Sequence, residues 1–306
     1  MFYIVYGFLY VVSLLPFFIL YRISDLFYVL AYYVMGYRKE VVFNNLRIAF
    51  PEKSEKERIL IAKKFYKNLM DTFIESVKLL SISDDAFKKR AIMDLTEVHA
   101  LIAKGKSIQL HSGHLMNWEY AHWAIAREMP IPWIGVYMTI KNKIVEKLFY
   151  KIRNKGNTIL VPKSQFKSRA HEVFSQQYAI GLLGDQNPGQ PISGYWLNFF
   201  GRPVPFISGP DKGAIKNNTA VVFVKFVKTK RGYYRFEPTV ITEDGRNFEE
   251  GMLTRLYRDF LEAAIREHPD NYLWSHRRWK INYTSQFEKR WIDSTDPPPD
   301  EPLGQQ

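Results

Sequence analysis

The segment from Gln109 to Glu119 contains residue types that can perform acid–base chemistry. His114 lies in a Gly-containing turn after an apolar run, and Glu119 follows five residues later. On one continuous helix this spacing is a rotation of about 140°, but the side chains can converge if His114 lies in the turn and Asn117 caps the helix. We therefore expect Glu119 to orient His114 as a general base for a hydroxyl. The N–H groups of the helix N-terminus would add donors for an anion.

Two other chemistries use neighbouring residues. His111, His114 and Glu119 are potential zinc ligands, but the segment has no HExxH pattern and no further distant ligand is evident. Ser112 is a potential nucleophile, but it lacks the GxSxG elbow. We therefore predict no metal and no cofactor. His122, on the following helix, is expected to pack or face solvent.

Composition limits the class of protein. The chain has 306 residues, 46% of them apolar and 16% aromatic, which excludes disorder for most of its length. Its formal charge of +12 favours anionic partners such as anionic lipid, acidic protein or nucleic acid. The chain has no Cys, which excludes disulfides and cysteine nucleophiles.

The first 36 residues predict a membrane anchor. Residues 1–21 carry no charge, and only Gly7, Ser13 and Pro16 interrupt the apolar run, which is long enough to span a bilayer. A second apolar stretch, 26–37, is too short to span by itself. Pro16 leaves a bent or monotopic insertion open. The basic residues that follow (Arg38, Lys39 and Arg47) place the next domain in the cytoplasm.

The remaining pattern predicts helices followed by an α/β core. Ser54 and Glu57 form a capping box before a long amphipathic helix. From about residue 92, short apolar runs alternate with helical stretches, which indicates a largely parallel sheet. The predicted domains are a membrane anchor (1–36), a helical lead-in (37–91), an α/β core (92–285) and a disordered tail (286–306). The predicted strands are 107–110, 133–137, 158–161, 179–183, 221–227 and 232–241, and the predicted helices are 38–50, 117–128, 141–155, 166–177, 208–217 and 248–267.

Six blocks in order carry a family resemblance. The His114-x4-Glu119 spacing resembles the motif of glycerolipid acyltransferases, and HSGHLMNWE is similar to its version in late lipid A acyltransferases, the lauroyl/myristoyl transferases of the lysophospholipid acyltransferase-like superfamily. One departure is Met138, where the family commonly has Arg. The other matching blocks are Asn45-Leu46 with Phe50-Pro51-Glu52, Val136-Tyr137 with Lys141-Asn142 and Arg153, Gly184-Asp185-Gln186, Asn198 to Pro203, and Pro269 to Lys280.

The resemblance implies a glycerolipid-acyltransferase-like α/β sandwich with a mixed, largely parallel sheet behind the N-terminal membrane-anchoring helix. It implies transfer of an acyl chain from an acyl thioester, usually on acyl carrier protein, to a hydroxyl of a lipid A precursor at the cytoplasmic face of the bacterial inner membrane. His114 and Glu119 would be catalytic. The residues expected to bind substrate are Asn117, Lys141, Asn142, Arg153, Asp185, Arg277 and Arg278.

Three alternatives stay open. The same fold can acylate another glycolipid or an aminolipid, because the shape of the pocket sets the acceptor. A membrane-tethered nucleic-acid-binding protein would explain the charge, but the sequence has no recognised nucleic-acid-binding pattern. A silent scaffold is disfavoured because His114 and Glu119 are both present.

Overall fold

Within residues 1–300, which the computed structural model describes, nine strands form two sheets. In chain order they are β1 Ala91–Met93, β2 Ile108–Ser112, β3 Trp133–Tyr137, β4 Thr158–Pro162, β5 Ala179–Leu183, β6 Tyr195–Phe199, β7 Arg202–Phe206, β8 Ala220–Lys230 and β9 Tyr233–Thr242. The larger sheet has the order β1-β9-β8-β2-β5-β3-β4. Every neighbouring pair in it is parallel except β8–β9, so the predicted mixed, largely parallel sheet is confirmed.

Helices cover both faces of this sheet and extend N-terminally from it. They are α1 Phe2–Leu14, α2 Phe17–Val29, α3 Lys39–Ala49, α4 Glu55–Lys78, α5 Asp84–Lys88, α6 Thr96–Ala103, α7 Trp118–Glu128, α8 Lys143–Arg153, α9 Ala170–Val173, α10 Gly209–Asn217 and α11 Met252–Glu267. The lead-in helices and the sheet share one hydrophobic core, which joins Leu46 and Phe65 to Val222 and Leu261.

The central position of β2 determines where the site forms. All five of its residues are buried, because β5 and β8 flank it and helices pack above and below. In the parallel register with β5, Ser112 lies opposite Leu183. The chain therefore leaves both strands side by side, and the residues two positions further on, His114 and Asp185, emerge at the same edge of the sheet.

Most of the predicted elements are confirmed within a few residues. Ser54 Oγ accepts the N–H of Glu57 at 3.3 Å, and Glu57 Oε2 accepts the N–H of Ser54 at 2.8 Å, so the capping box is present. The predicted helix 166–177 is wrong, since only the single turn α9 forms there. Phe166 instead packs edge-to-face on Phe174 at 5.8 Å in a compact loop.

The N-terminal apolar run is not a single helix. Leu15 is extended (ψ 144°), and α1 and α2 are separated at Pro16, because a proline disfavours helical backbone in the residue before it and has no N–H to donate. Among the described residues, one helix is long and apolar enough to cross a membrane by length and composition. It is Phe17–Val34, in which a π-helical segment, Leu30–Val34, continues α2. The break between the two apolar segments therefore lies at Pro16, whereas the sequence placed it between residues 21 and 26.

The C-terminal segment makes packing contacts as far as Asp293, whereas a disordered tail was expected from residue 286. Phe287 is buried and stacks on Trp196 at 4.5 Å. Asp293 accepts the N–H of Asn198 at 2.7 Å and pairs with Arg258 at 3.2 Å. These contacts hold the segment against the β6–β7 hairpin. Residues 301–306 lie outside the described part of the chain.

Candidate active site

The turn that carries His114 is held by a neighbouring segment. The carbonyl of His114 accepts the N–H of Leu273 at 3.1 Å, and the N–H of Met116 donates to the carbonyl of Asn271 at 2.8 Å. The turn is also tight at Gly113, where a Cβ atom would lie 2.5 Å from Leu261 Cδ1. The backbone therefore fixes the position of His114 from both sides.

The carboxylate partner of His114 is Asp185. His114 Nδ1 lies 2.7 Å from Asp185 Oδ1, and the aspartate side chain is 1% exposed whereas the histidine is 21% exposed. An ionised carboxylate accepts hydrogen bonds only, so Nδ1 carries a proton and, in the neutral ring, Nε2 carries the lone pair. Burial by itself would raise the pKa of Asp185, but the charge and hydrogen bond of His114 lower it below its usual value. Asp185 therefore takes the orienting place that the sequence analysis gave to Glu119.

Glu119 instead holds Arg153. The Nε of Arg153 donates to Glu119 Oε2 at 2.9 Å, Nη2 donates to Oε1, and the indole N–H of Trp118 donates to Oε1 at 3.1 Å. Burial raises the pKa of Glu119, but the charge of Arg153 and the hydrogen bonds from Arg153 and Trp118 together lower it, and the net shift is downward. The side chain of Arg153 is 22% exposed and lies in a small cleft with Tyr137 and Phe149. The cation is therefore fixed at the rim of a cleft.

Two asparagines predicted to bind substrate are helix caps. Asn117 is fully buried; its Oδ1 accepts the N–H groups of Glu119 and Tyr120, and its Nδ2 donates to Glu75 at 2.9 Å. Its position does not fit substrate binding. The N–H groups of Glu119 and Tyr120, at the helix N-terminus that was expected to bind an anion, therefore already have an acceptor.

Asn142 caps α8, with Oδ1 accepting the N–H groups of Ile144 and Val145. Lys141 precedes it and is exposed. Both residues lie at the opposite end of α8 from Arg153, a helix length of about 16 Å. The structure therefore does not place them with Arg153.

The two arginines of the C-terminal block have different environments. Arg277 is exposed. Arg278 is 1% exposed, and its Nη1 donates to Asn187 Oδ1 at 2.6 Å and to the carbonyl of Pro205 at 3.0 Å, while its guanidinium lies 4.4 Å from the ring centre of Phe206. Burial lowers its pKa to about 10. Within residues 1–300, its Nε and Nη2 have no hydrogen-bond partner.

Two residues that were not predicted for the site, Tyr257 and Tyr272, lie near Asp185, since burial and the charge of that carboxylate raise the pKa of both hydroxyls. The side chains of Tyr257 and Tyr272 are buried, and the hydroxyl of Tyr257 donates to the carbonyl of Ser112 at 2.7 Å. Burial lowers the pKa of His276, in the same segment as Tyr272, to about 4. The Tyr272 to His276 segment was part of the quoted C-terminal block, so its position in sequence was the available signal.

The residues named for the competing chemistries are engaged in other contacts. His111 is buried beside Gln109, and burial lowers its pKa to about 3. Ser112 donates to the carbonyl of Val224 at 2.7 Å and is also buried. His122 packs as expected, with Nε2 2.8 Å from the carbonyl of Arg153. Residues 1–300 contain no group of three or more His, Asp or Glu side chains arranged to hold a metal ion.

Comparison with known proteins identifies the family of the chain. Residues 1–281 match the family described as bacterial lipid A biosynthesis acyltransferase. The chain is 20% identical over 245 residues to the lipid A biosynthesis palmitoleoyltransferase of Escherichia coli, which covers 79% of each chain. A lipid A biosynthesis acyltransferase of Shigella flexneri matches with the same identity and coverage. The match over residues 1–281 shows that this chain belongs to the bacterial lipid A biosynthesis acyltransferase family.

Proposed function

We propose that the chain moves a fatty acyl group from an acyl thioester, carried by acyl carrier protein, to a hydroxyl of a lipid A precursor, with the catalytic domain on the cytoplasmic face of the inner membrane. The observation that carries this proposal is the 2.7 Å contact of His114 Nδ1 with the buried carboxylate of Asp185. Family membership supports the acceptor class. The net charge of +12 suits both an acidic carrier protein and a phosphorylated lipid.

His114 acts as the general base. Its Nε2 takes the proton of the acceptor hydroxyl while the oxygen attacks the thioester carbonyl. The C–S bond then breaks, and the leaving thiolate takes the proton back from the imidazolium. Asp185 keeps the proton of the neutral ring on Nδ1 and stabilises the imidazolium that forms.

In this scheme Arg153 supplies positive charge to the reaction. Its partner Glu119 also accepts the indole N–H of Trp118, whose ring centre lies 5.7 Å from that of His114. Glu119 occupies its Nε and Nη2, so the guanidinium is held in one orientation at the cleft. A fixed cation of this kind stabilises the oxyanion of the tetrahedral intermediate or binds a phosphate of the acceptor. In this scheme Glu119 is a positioning residue that acts through Arg153.

The acyl group passes directly from donor to acceptor in a ternary complex. The chain has no Cys, and the hydroxyl of Ser112 is buried and donates to a backbone carbonyl. Neither of these nucleophiles is therefore available for an acyl-enzyme at this site. The reaction needs both substrates bound at once.

Mass spectrometry of lipid A from cells with and without the gene tests the proposal. We expect loss of one acyl mass in its absence, restoration by the wild-type chain and no restoration by His114→Ala. Unchanged lipid A together with a missing acyl group on another glycolipid or aminolipid would favour the alternative acceptor. Unchanged acylation of all of these lipids would contradict the proposal.

A further inference from the structure

The N-terminal helices present an apolar outer face. Most of the large hydrophobic side chains that are exposed within residues 1–300 lie between Met1 and Tyr37. Contiguous exposed apolar surface of this kind marks an interaction site. We call it the N-terminal face; its most exposed members include Ile4, Phe8, Val11, Phe18 and Val34.

The inner side of α2 is polar and bonded to the catalytic domain. Tyr21 donates to Glu75 Oε1 at 2.9 Å, and Ser24 donates to Asp71 at 2.7 Å. Asp25 pairs at 2.8 Å with Arg231, which lies in the turn between β8 and β9. These three residues occupy the middle of the helix Phe17–Val34, so its centre is fixed against α4 and the sheet.

The same guanidinium ties the helix to α4. Arg231 Nη2 also lies 2.6 Å from Asp71, whose side chain is 1% exposed. Taking either carboxylate away from this cation would leave a charge poorly compensated in a buried setting. The attachment of α2 is therefore part of the folded core.

The joint between α1 and α2 is fixed in the same way. Lys78 Nζ donates to the carbonyls of Ser13 and Leu15 at 2.7 and 3.0 Å, and Ser81 Oγ donates to Ser13 at 2.7 Å. These donors satisfy carbonyls that the helix end leaves free. Both helices are therefore docked along the domain.

Lysines line the edges of the N-terminal face. Lys147 and Lys151 of α8 lie 4.6 and 3.9 Å from the ring centres of Phe2 and Tyr6, and Lys39 lies 4.3 Å from that of Tyr32. An apolar face with a basic border fits a bilayer that contains anionic lipid.

We infer that α1 and the helix Phe17–Val34 insert together into one leaflet of an anionic bilayer and do not cross it. A helix whose centre is bonded to the water-exposed domain cannot reach the far leaflet without burying α4 and the β8–β9 turn in lipid, where charged groups are costly. The inference rests on the proposed membrane attachment and specifies its geometry. Arg153 lies on the same helix as Lys147 and Lys151, so a lipid acceptor in that leaflet reaches the site from the membrane.

Cysteine labelling tests the topology, because the chain contains no Cys of its own. One variant carries a short hydrophilic extension with a single Cys before Met1, and the control carries Lys167→Cys on the exposed surface of the catalytic domain. Intact spheroplasts and inverted membrane vesicles are treated with a membrane-impermeant maleimide. We expect both positions to be labelled in the same preparation. Labelling of the two positions from opposite faces would overturn the inference.

Vesicle flotation tests the surface itself. Phe8→Glu with Phe27→Glu should weaken binding to phosphatidylethanolamine/phosphatidylglycerol vesicles at least about tenfold, because two exposed apolar side chains of the N-terminal face become charged. Ile192→Glu, at an exposed apolar residue outside the face, should bind like wild type. Acyl transfer to a detergent-dispersed acceptor should be retained by all three chains. Equal flotation of the double variant and wild type would overturn the inference, whereas loss of transfer in detergent by the wild type would contradict the proposed function.

Discussion

At the scale of single residues, Asp185 is the carboxylate that sets the tautomer of His114, the proposed base. Asp185→Asn keeps the size of the side chain but removes the charge and allows the amide to donate to Nδ1. We expect the rate of acyl transfer to fall by about 10²–10⁴-fold. Circular dichroism should show an unchanged fold. A rate within threefold of wild type would show that His114 does not depend on Asp185.

The Glu119–Arg153 pair is expected to affect stability as well as the rate. Glu119→Ala leaves the largely buried guanidinium without its carboxylate, which costs about 3 kcal/mol of unfolding free energy, the lower end of the range for such pairs since Arg153 keeps some exposure. The matched control is Glu172→Ala, which breaks an exposed pair with Arg169 and should cost less than about 1 kcal/mol. Denaturant unfolding in detergent measures both. Equal stability of the two variants would mean that the buried pair is not formed.

The buried His111 predicts a loss of stability in acid. Burial lowers its folded-state pKa to about 3, from an ordinary value near 6.5. Below pH 6.5 the unfolded chain binds a proton that the folded chain does not bind, so stability falls as the pH drops towards 3. At pH 5 this one group should remove about 2 kcal/mol relative to pH 7.

Denaturant unfolding at pH 7 and pH 5 tests this contribution. His111→Asn should lose about 2 kcal/mol less than wild type between the two pH values. His171→Asn, at an exposed position, should behave like wild type. The same pH dependence in His111→Asn and wild type would contradict the assignment.

At the scale of elements, Asn117 and Asn142 are both helix N-caps, but their environments differ. Both cap a helix through Oδ1, but Asn117 is buried and also donates to Glu75, whereas Asn142 is exposed. Asn117→Ala should therefore cost about 2–4 kcal/mol, the sum of a lost cap and a lost buried hydrogen bond. Asn142→Ala should cost about 1 kcal/mol. Thermal or denaturant unfolding compares them, and equal costs would contradict the buried role.

The element scale also shows what the sequence could predict. Apolar runs predicted β3 and β5 with the bounds observed. The β6–β7 hairpin was not predicted, although Gly201 in its turn is a residue that two-residue hairpin turns favour. Phe200 and Gly201 have φ of 53° and 72°, as a two-residue type I′ turn requires. Pro203 and Pro205 argue against a strand at the sequence level. They are tolerated in β7 because both strands of a two-stranded sheet are edge strands.

At the scale of the whole molecule, strand order decided the partner of His114. The sequence indicated that His114 and Asp185 each follow a buried strand, but periodicity does not reveal which strands are neighbours. Only the placement of β5 beside β2, with Ser112 opposite Leu183, brings the two side chains together. Glu119 was nearer in sequence, yet it lies inside α7 and faces Arg153 at the end of α8. Local spacing therefore singled out His114, the proposed base, but not the carboxylate that lies beside it.

The central claim, that His114 is the base in direct acyl transfer, is tested by one rate. The purified full-length chain in detergent is mixed with acyl carrier protein thioester and a lipid A precursor, and single-turnover transfer is measured for wild type and His114→Ala. The claim predicts a loss of about 10²–10⁴-fold in the variant, with its fold retained because the side chain lies in a partly exposed turn. Transfer by His114→Ala at close to the wild-type rate would contradict it.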